Sequence, residues 1–106
     1  MKFPTVITDH VKKEFYKDGT TGLVFETKSS RRLILDLNEI TFRRRTNVVE
    51  AKSLCCYLFC AFLQNRYSRS DVEDHFLLNM YLDRDIISQL LDSLTERALE
   101  IAAEEV

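Results

Sequence analysis

The apolar residues of this chain change their period once, and that change governs what it can fold into. Up to Phe42 they come in short β-branched and aromatic clusters: Val6-Ile7, Phe15-Tyr16, Leu23-Val24-Phe25, Leu33-Ile34-Leu35 and Ile40-Thr41-Phe42. From Asn47 they recur at three- and four-residue steps, as Val48, Ala51, Leu54, Cys55, Leu58, Phe59, Phe62 and Leu63. Alternation marks strands, and steps of three and four mark a helix. Strands come first and helices second, which is the order of a small α+β domain.

The first part is punctuated by turn chemistry. Lys17-Asp18-Gly19-Thr20 offers Asp-Gly, which takes positive φ cheaply. Lys28-Ser29-Ser30-Arg31 reads as a second turn and Asp36-Leu37-Asn38-Glu39 as a third, tight one. Residues 5–16 read as a strand or an irregular arm, and Ile40-Thr41-Phe42 alternates as a short strand does. The expectation is an antiparallel sheet of three or four strands over about residues 5–45.

The second part predicts three helices, over about 47–65, 69–78 and 83–101. Thr46 or Asn47 can cap the first, which ends at Gln64-Asn65-Arg66-Tyr67 without a Gly. Tyr57, Cys56 and Cys60 make it apolar nearly all round, the mark of a central element. Ser68 can cap the second helix, with Asp71 as a short stand-in for the Glu of a capping box. Asp83 is placed to cap the third, whose apolar face is Ile86, Ile87, Leu90, Leu91, Leu94, Ala98 and Leu99. The tail from Ile101 is acidic and is expected to fray or to extend that helix. One helix in, a capped turn at Ser68-Arg69 and two helices out is how a helix-turn-helix core reads.

With 106 residues the chain fits one domain. The 15 basic and 17 acidic side chains nearly cancel but are unevenly spread. Residues 31–70 hold eight basic and three acidic side chains, and residues 71–106 two basic and ten acidic. A basic middle suits phosphate, and an acidic end repels it. No apolar run is long enough for a membrane span, and Met1-Lys2-Phe3-Pro4 opens no signal peptide, so cytoplasmic placement is expected. Cys55, Cys56 and Cys60 crowd one apolar helix, with only His10 and His75 as histidines. No zinc spacing results, and the thiols read as small hydrophobes in a reducing compartment. There is no Gly-rich phosphate loop and no Ser-His-Asp arrangement. Asp71, Asp74 and His75 read as a solvated helix face, so no catalytic residue, cofactor, metal or small-molecule substrate is expected.

Two resemblances follow from these residues. Arg45-Thr46-Asn47 with Glu50, the helix around Leu54-Cys55-Cys56-Tyr57-Leu58, and the turn Tyr67-Ser68-Arg69-Ser70-Asp71-Val72 resemble the OmpR/PhoB-type winged helix, in particular its ToxR-like subgroup. The likeness covers roughly residues 22–99, and Asp83–Leu99 falls where that family's third helix reads the major groove. It implies a bacterial transcription regulator that binds double-stranded DNA, as a homodimer or with a related subunit. A membrane tether would lie outside this chain, if there is one at all. On this reading Arg43, Arg44, Arg45, Thr46, Arg66 and Arg69 would meet phosphates. Arg84, Ser88, Gln89, Asp92 and Thr95 would face bases, since Gln and Arg can read adenine and guanine through paired hydrogen bonds. No Gly follows Gly22, so the expected fold is winged-helix-like, with the C-terminal wing hairpin absent.

Leu94-Thr95-Glu96-Arg97-Ala98-Leu99 and Leu37-Asn38-Glu39 carry the second resemblance, to PqqD-like leader-peptide recognition domains. These also order three strands before three helices, and about fifteen extra residues intervene here before the next helix. This likeness implies a protein- or peptide-binding module without DNA contact, taking an extended peptide on a sheet edge and a helix groove.

Overall fold

The computed structural model describes residues 11–15, 21–26, 32–43, 47–79 and 81–105. The expected turns at Lys17–Thr20 and Lys28–Arg31 lie outside these residues, as does any strand before Val11. Three strands, β1 (Val11–Phe15), β2 (Thr21–Glu26) and β3 (Arg32–Asp36), form an antiparallel sheet in the order β1-β2-β3. Lys13 faces Leu23 and Leu23 faces Leu35, so the register runs straight across the sheet. Three helices follow: α1 (Val48–Leu63), α2 (Arg69–Leu78) and α3 (Arg84–Glu105). The chain is thus a small α+β fold, an antiparallel sheet followed by three helices.

The expected strand at Ile40–Phe42 does not form. Asp36 turns the chain out of β3, its carboxylate accepting from the Asn38 N–H at 2.8 Å, which is an Asx turn. The Ile40 N–H then returns to the Leu37 carbonyl, and the Arg43 N–H reaches the Tyr81 carbonyl at 3.3 Å. The segment spends these amides on a turn and on the α2–α3 connection rather than on a sheet neighbour.

One core joins the layers. Leu23, Phe25, Leu35 and Leu37 from the sheet side meet Cys55, Phe59 and Leu63 of α1, Val72 and Phe76 of α2, and Ile87, Leu91, Leu94, Ala98 and Ile101 of α3. Gly22 lies beneath α1, where the Cys56 Sγ comes to 3.9 Å from its carbonyl oxygen; a Cβ there would crowd the helix. Phe76 sits among three rings, Phe59 at 6.3 Å, Tyr81 at 6.3 Å and His75 at 6.1 Å between centroids. Its contacts with His75 and Tyr81 are edge-on, the favoured geometry for aromatic pairs.

The helix ends follow local chemistry. The Asn47 side chain caps α1 through the Glu50 N–H. At its other end Asn65 takes φ 59°. The Arg66 N–H reaches the Ala61 carbonyl and the Asn65 N–H the Phe62 carbonyl. This is a Schellman ending in which Asn does the work usually given to Gly. Ser68 and Asp71 form the full capping box of α2. The C-terminal residues extend α3 to Glu105. The first helix is less enclosed than its composition predicts: Tyr57 is 52% exposed and Val49 63%. Its buried residues lie along the faces turned to the sheet and to the other helices.

Candidate functional site

The residues expected to meet DNA divide into groups with different surroundings. Arg44, Arg45 and Thr46 lie outside the described residues. Arg43 is held on both sides: its backbone bonds Tyr81, and its guanidinium donates to the Asp83 carboxylate, with Nε at 2.7 Å. Asp83 thus precedes α3 with its carbonyl accepting the Ile87 N–H and its side chain engaged by the strand–helix linker. Arg66 is exposed at the end of α1 and has no ion pair among the described residues.

Arg69 does not stand free at the turn. Its Nη1 donates to Asp92 at 2.7 Å and its Nε to Glu73 at 3.3 Å. Its Nη2 donates to both the hydroxyl and the carbonyl of Ser88, at 2.8 and 3.2 Å. The Asp92 carboxylate above all, helped by Glu73, raises the guanidinium pKa further against partial desolvation. The planar fork of Arg is suited to such divergent bonding. Three residues expected to contact DNA, Arg69, Ser88 and Asp92, therefore bind one another and fasten α2 to α3. Arg84 extends the cluster, 3.8 Å from Glu73, and the Thr95 hydroxyl turns back to the Leu91 carbonyl at 2.9 Å. Gln89 is exposed, but on the side of α3 that faces the sheet edge.

That side holds a concavity. A groove of about 490 Å³ runs between β3 and α3. Ile34, Ile40, Ile86 and Leu90 supply its apolar lining, and Gln89 and Ser93 line it with polar groups. Asp36, Glu39 and Glu96 also line it, with Arg97 as the cation in the lining. The groove follows from two sequence features. The Asx turn at Asp36 carries the chain away from the sheet, so among the described residues only β2 pairs with β3. Helix α3 also carries two apolar stripes. Ile87, Leu91, Leu94, Ala98 and Ile101 are fully buried, while Ile86 and Leu90, one position back, are half-buried and look into the groove.

Sequence reasoning counted both stripes as one core face, so the groove went unseen. The signal that could have found it is the width of the α3 apolar face. A helix packed on one neighbour needs a single stripe, and a second one needs a second surface. In the sequence Ile34 reads simply as part of a strand. Its position on a strand that is at the sheet edge among the described residues, 45% exposed, depends on strand order, which periodicity does not encode.

A second cavity of about 350 Å³ lies between α1 and α2, lined by Leu54, Tyr57, Leu58, Tyr67, Asp71 and His75. The Tyr67 phenol is hydrogen-bonded to Tyr57, and this bond raises its pKa. Cys55 and Cys56 are fully buried, and burial, with Cys56 as a near neighbour, pushes the Cys55 thiol far above its ordinary value. The described residues bring together no group of three or more His, Cys, Asp or Glu side chains able to hold a metal. None of their helices is long and apolar enough to cross a membrane. Compared with protein-family models, with curated proteins and with solved structures, the chain matches none.

Proposed function

We propose that this chain is a peptide-binding module whose ligand, an extended segment of another protein, lies along the open edge of β3 and against α3. One observation carries the reading: a strand edge that is unpaired among the described residues borders an apolar-lined groove large enough for several side chains. An edge strand presents a row of free N–H and C=O groups, a template for another strand. Main-chain bonds would supply affinity, and pockets for alternate side chains would supply selectivity. Ile86 and Leu90 would receive the side chains that point toward the helix. The likeness of Leu37-Asn38-Glu39 and of Leu94–Leu99 to PqqD-like recognition domains supports the same mode.

The DNA-binding reading, with its winged-helix assignment, keeps the exposed Arg66 and the Arg44-Arg45 pair in its favour. It loses weight at Arg43 and Arg69, whose charges are already met by Asp83, Asp92 and Glu73. A phosphate would have to displace a carboxylate at each, and α3 adds Asp92, Glu96 and Glu100 to the face that would approach the duplex.

The test begins with random dodecapeptides displayed on phage and selected against the full chain. The best binder is then titrated into ¹⁵N-labelled protein. Shifts should concentrate on β3, residues 37–41 and the Ile86–Arg97 portion of α3. Ser93→Arg, which places a large side chain in the groove lining at a half-buried position outside the core, should abolish them. A binder whose shifts map to other surfaces, or whose affinity ignores Ser93→Arg, sinks the reading. The rival is tested by anisotropy with duplex DNA over a salt series, where binding that weakens steeply with salt would favour it.

A further inference from the structure

The groove is charged as well as apolar, and its charge points to the chemistry of its ligand. Three carboxylates line it, Asp36 and Glu39 at the exit from β3 and Glu96 on α3. Asp36, Glu39 and Glu96 are all exposed. None of them forms an ion pair among the described residues. Arg97, the one cation in the lining, is within 3.4 Å of Glu100. The turn that opens the groove uses an Asp36 oxygen to accept one backbone N–H, which leaves the carboxylate its charge. Elsewhere on this molecule the carboxylates of the α2–α3 seam are met by arginines; along the groove they are not.

From this we infer, building on the docking reading above, that the groove selects a basic amphipathic strand. Such a segment places aliphatic side chains on Ile86 and Leu90 and Lys or Arg side chains beside Asp36, Glu39 and Glu96. The alternation is dictated by the ligand's own geometry. Successive side chains of an added strand point to opposite faces. The aliphatic set therefore meets Ile86 and Leu90 on the helix, and the other set runs outward past Asp36 and Glu39, while Glu96, on the helix side, meets a cation at the end of the segment. Cations at the flanks meet acidic walls, and an acidic segment is repelled by all three carboxylates. Exposed pairs of this kind are individually weak and screened by salt. Together they discriminate among ligands and speed encounter more than they add affinity.

The selection of displayed dodecapeptides, repeated on a variant with Asp36→Asn, Glu39→Gln and Glu96→Gln, tests this. Asn at position 36 keeps the oxygen that accepts the Asn38 N–H, so the turn is preserved. Peptides enriched on the native chain should alternate Val, Ile or Leu with Lys or Arg. Their affinity should fall about tenfold on the neutralised variant at low salt, a gap that closes toward about 0.5 M salt. Enriched peptides that shift the groove resonances but lack basic residues, or bind the neutralised variant equally well, overturn the charge rule and leave the docking reading standing. If no enriched peptide maps to the groove, the docking reading falls and the charge rule with it. Two groove outcomes remain distinct: if a peptide copied from residues 1–10 or a second copy of the chain displaces the selected basic peptide more strongly than any basic segment, the charge rule is overturned in favour of self-recognition.

Discussion

Arg69 donates to Asp92, Glu73 and Ser88 at once, and this decides more about the molecule than its charge alone suggests. Next to a Ser in a helix-capping turn, an Arg reads naturally as a phosphate ligand. Its carboxylate partners lie four and twenty-three residues away, and the second can be assigned only once α3 is folded back on α2. Replacing Arg69 with Gln should therefore destabilise the fold by about 1–2 kcal/mol, the scale of charge-assisted hydrogen bonds discounted for partial exposure. Urea melts of the two proteins check this. A loss of duplex affinity with unchanged stability would instead make Arg69 a DNA ligand. Asn65 offers a similar lesson. With its φ at 59°, a β-branched residue is strongly disfavoured there, and Asn65→Val should cost about 1–2 kcal/mol, while Asn65→Gly should be neutral or slightly stabilising.

Cys55 sets a pH limit. Its pKa is raised in the folded state above the ordinary value of 9.0 by burial, whereas the unfolded thiol ionises near that value. Above it the unfolded state holds fewer protons than the folded one, so stability falls as pH rises. The contribution is fully present below pH 9.0 and is lost above it, by at most about 1.4 kcal/mol per pH unit. Melts of the native chain and of Cys55→Ala between neutral pH and pH 10 should diverge in slope above that point; parallel curves would show that Cys55 is not the titrating group.

At the scale of elements, the turn between α1 and α2 is built from parts that sequence alone reveals. Ser68 and Asp71 satisfy each other's amides, and Ser68→Ala should cost about 1 kcal/mol. The period of α3 is also legible, but the meaning of its width is not. Leu91 belongs to the fully buried stripe and Leu90 to the half-buried one. Leu91→Ala should cost about 2–5 kcal/mol, and Leu90→Ala markedly less while weakening peptide binding. Equal costs would mean that Leu90 is a core residue and that the groove is closed. The strand expected at Ile40–Phe42 failed for a related reason. Alternation marks a residue pattern compatible with a sheet, but the hydrogen-bond partners were supplied by Leu37 and Tyr81, and Tyr81 is far away in sequence.

For the whole molecule, the order of sheet and helices was legible because the apolar period changes once, near Asn47, and because turn residues separate the strands. The groove was less legible, because it is made by strand order and by how far α3 lies from β3, neither of which is local. The charge map is where the two readings part. A basic middle followed by an acidic end suggested phosphate on one half and repulsion on the other. Among the described residues the halves meet at two points, Arg43 with Asp83 at the linker and Arg69 with Asp92 and Glu73 across the α2–α3 seam. Three carboxylates outside these pairs, Asp36, Glu39 and Glu96, line the groove. A surface whose Arg43 and Arg69 are already met by carboxylates, and whose apolar cleft is bordered by carboxylates without an ion pair among the described residues, is better matched to a basic strand of protein than to a polyanion.

The most direct test is intermolecular NMR contacts between the labelled chain and a peptide selected by display. The account predicts strand-type contacts from the peptide backbone to β3 and methyl contacts from its side chains to Ile86 and Leu90, all lost in Ser93→Arg. Contacts confined to the Tyr57–Tyr67 cavity or to the Arg66 end of α1, with β3 and α3 undisturbed, would contradict it.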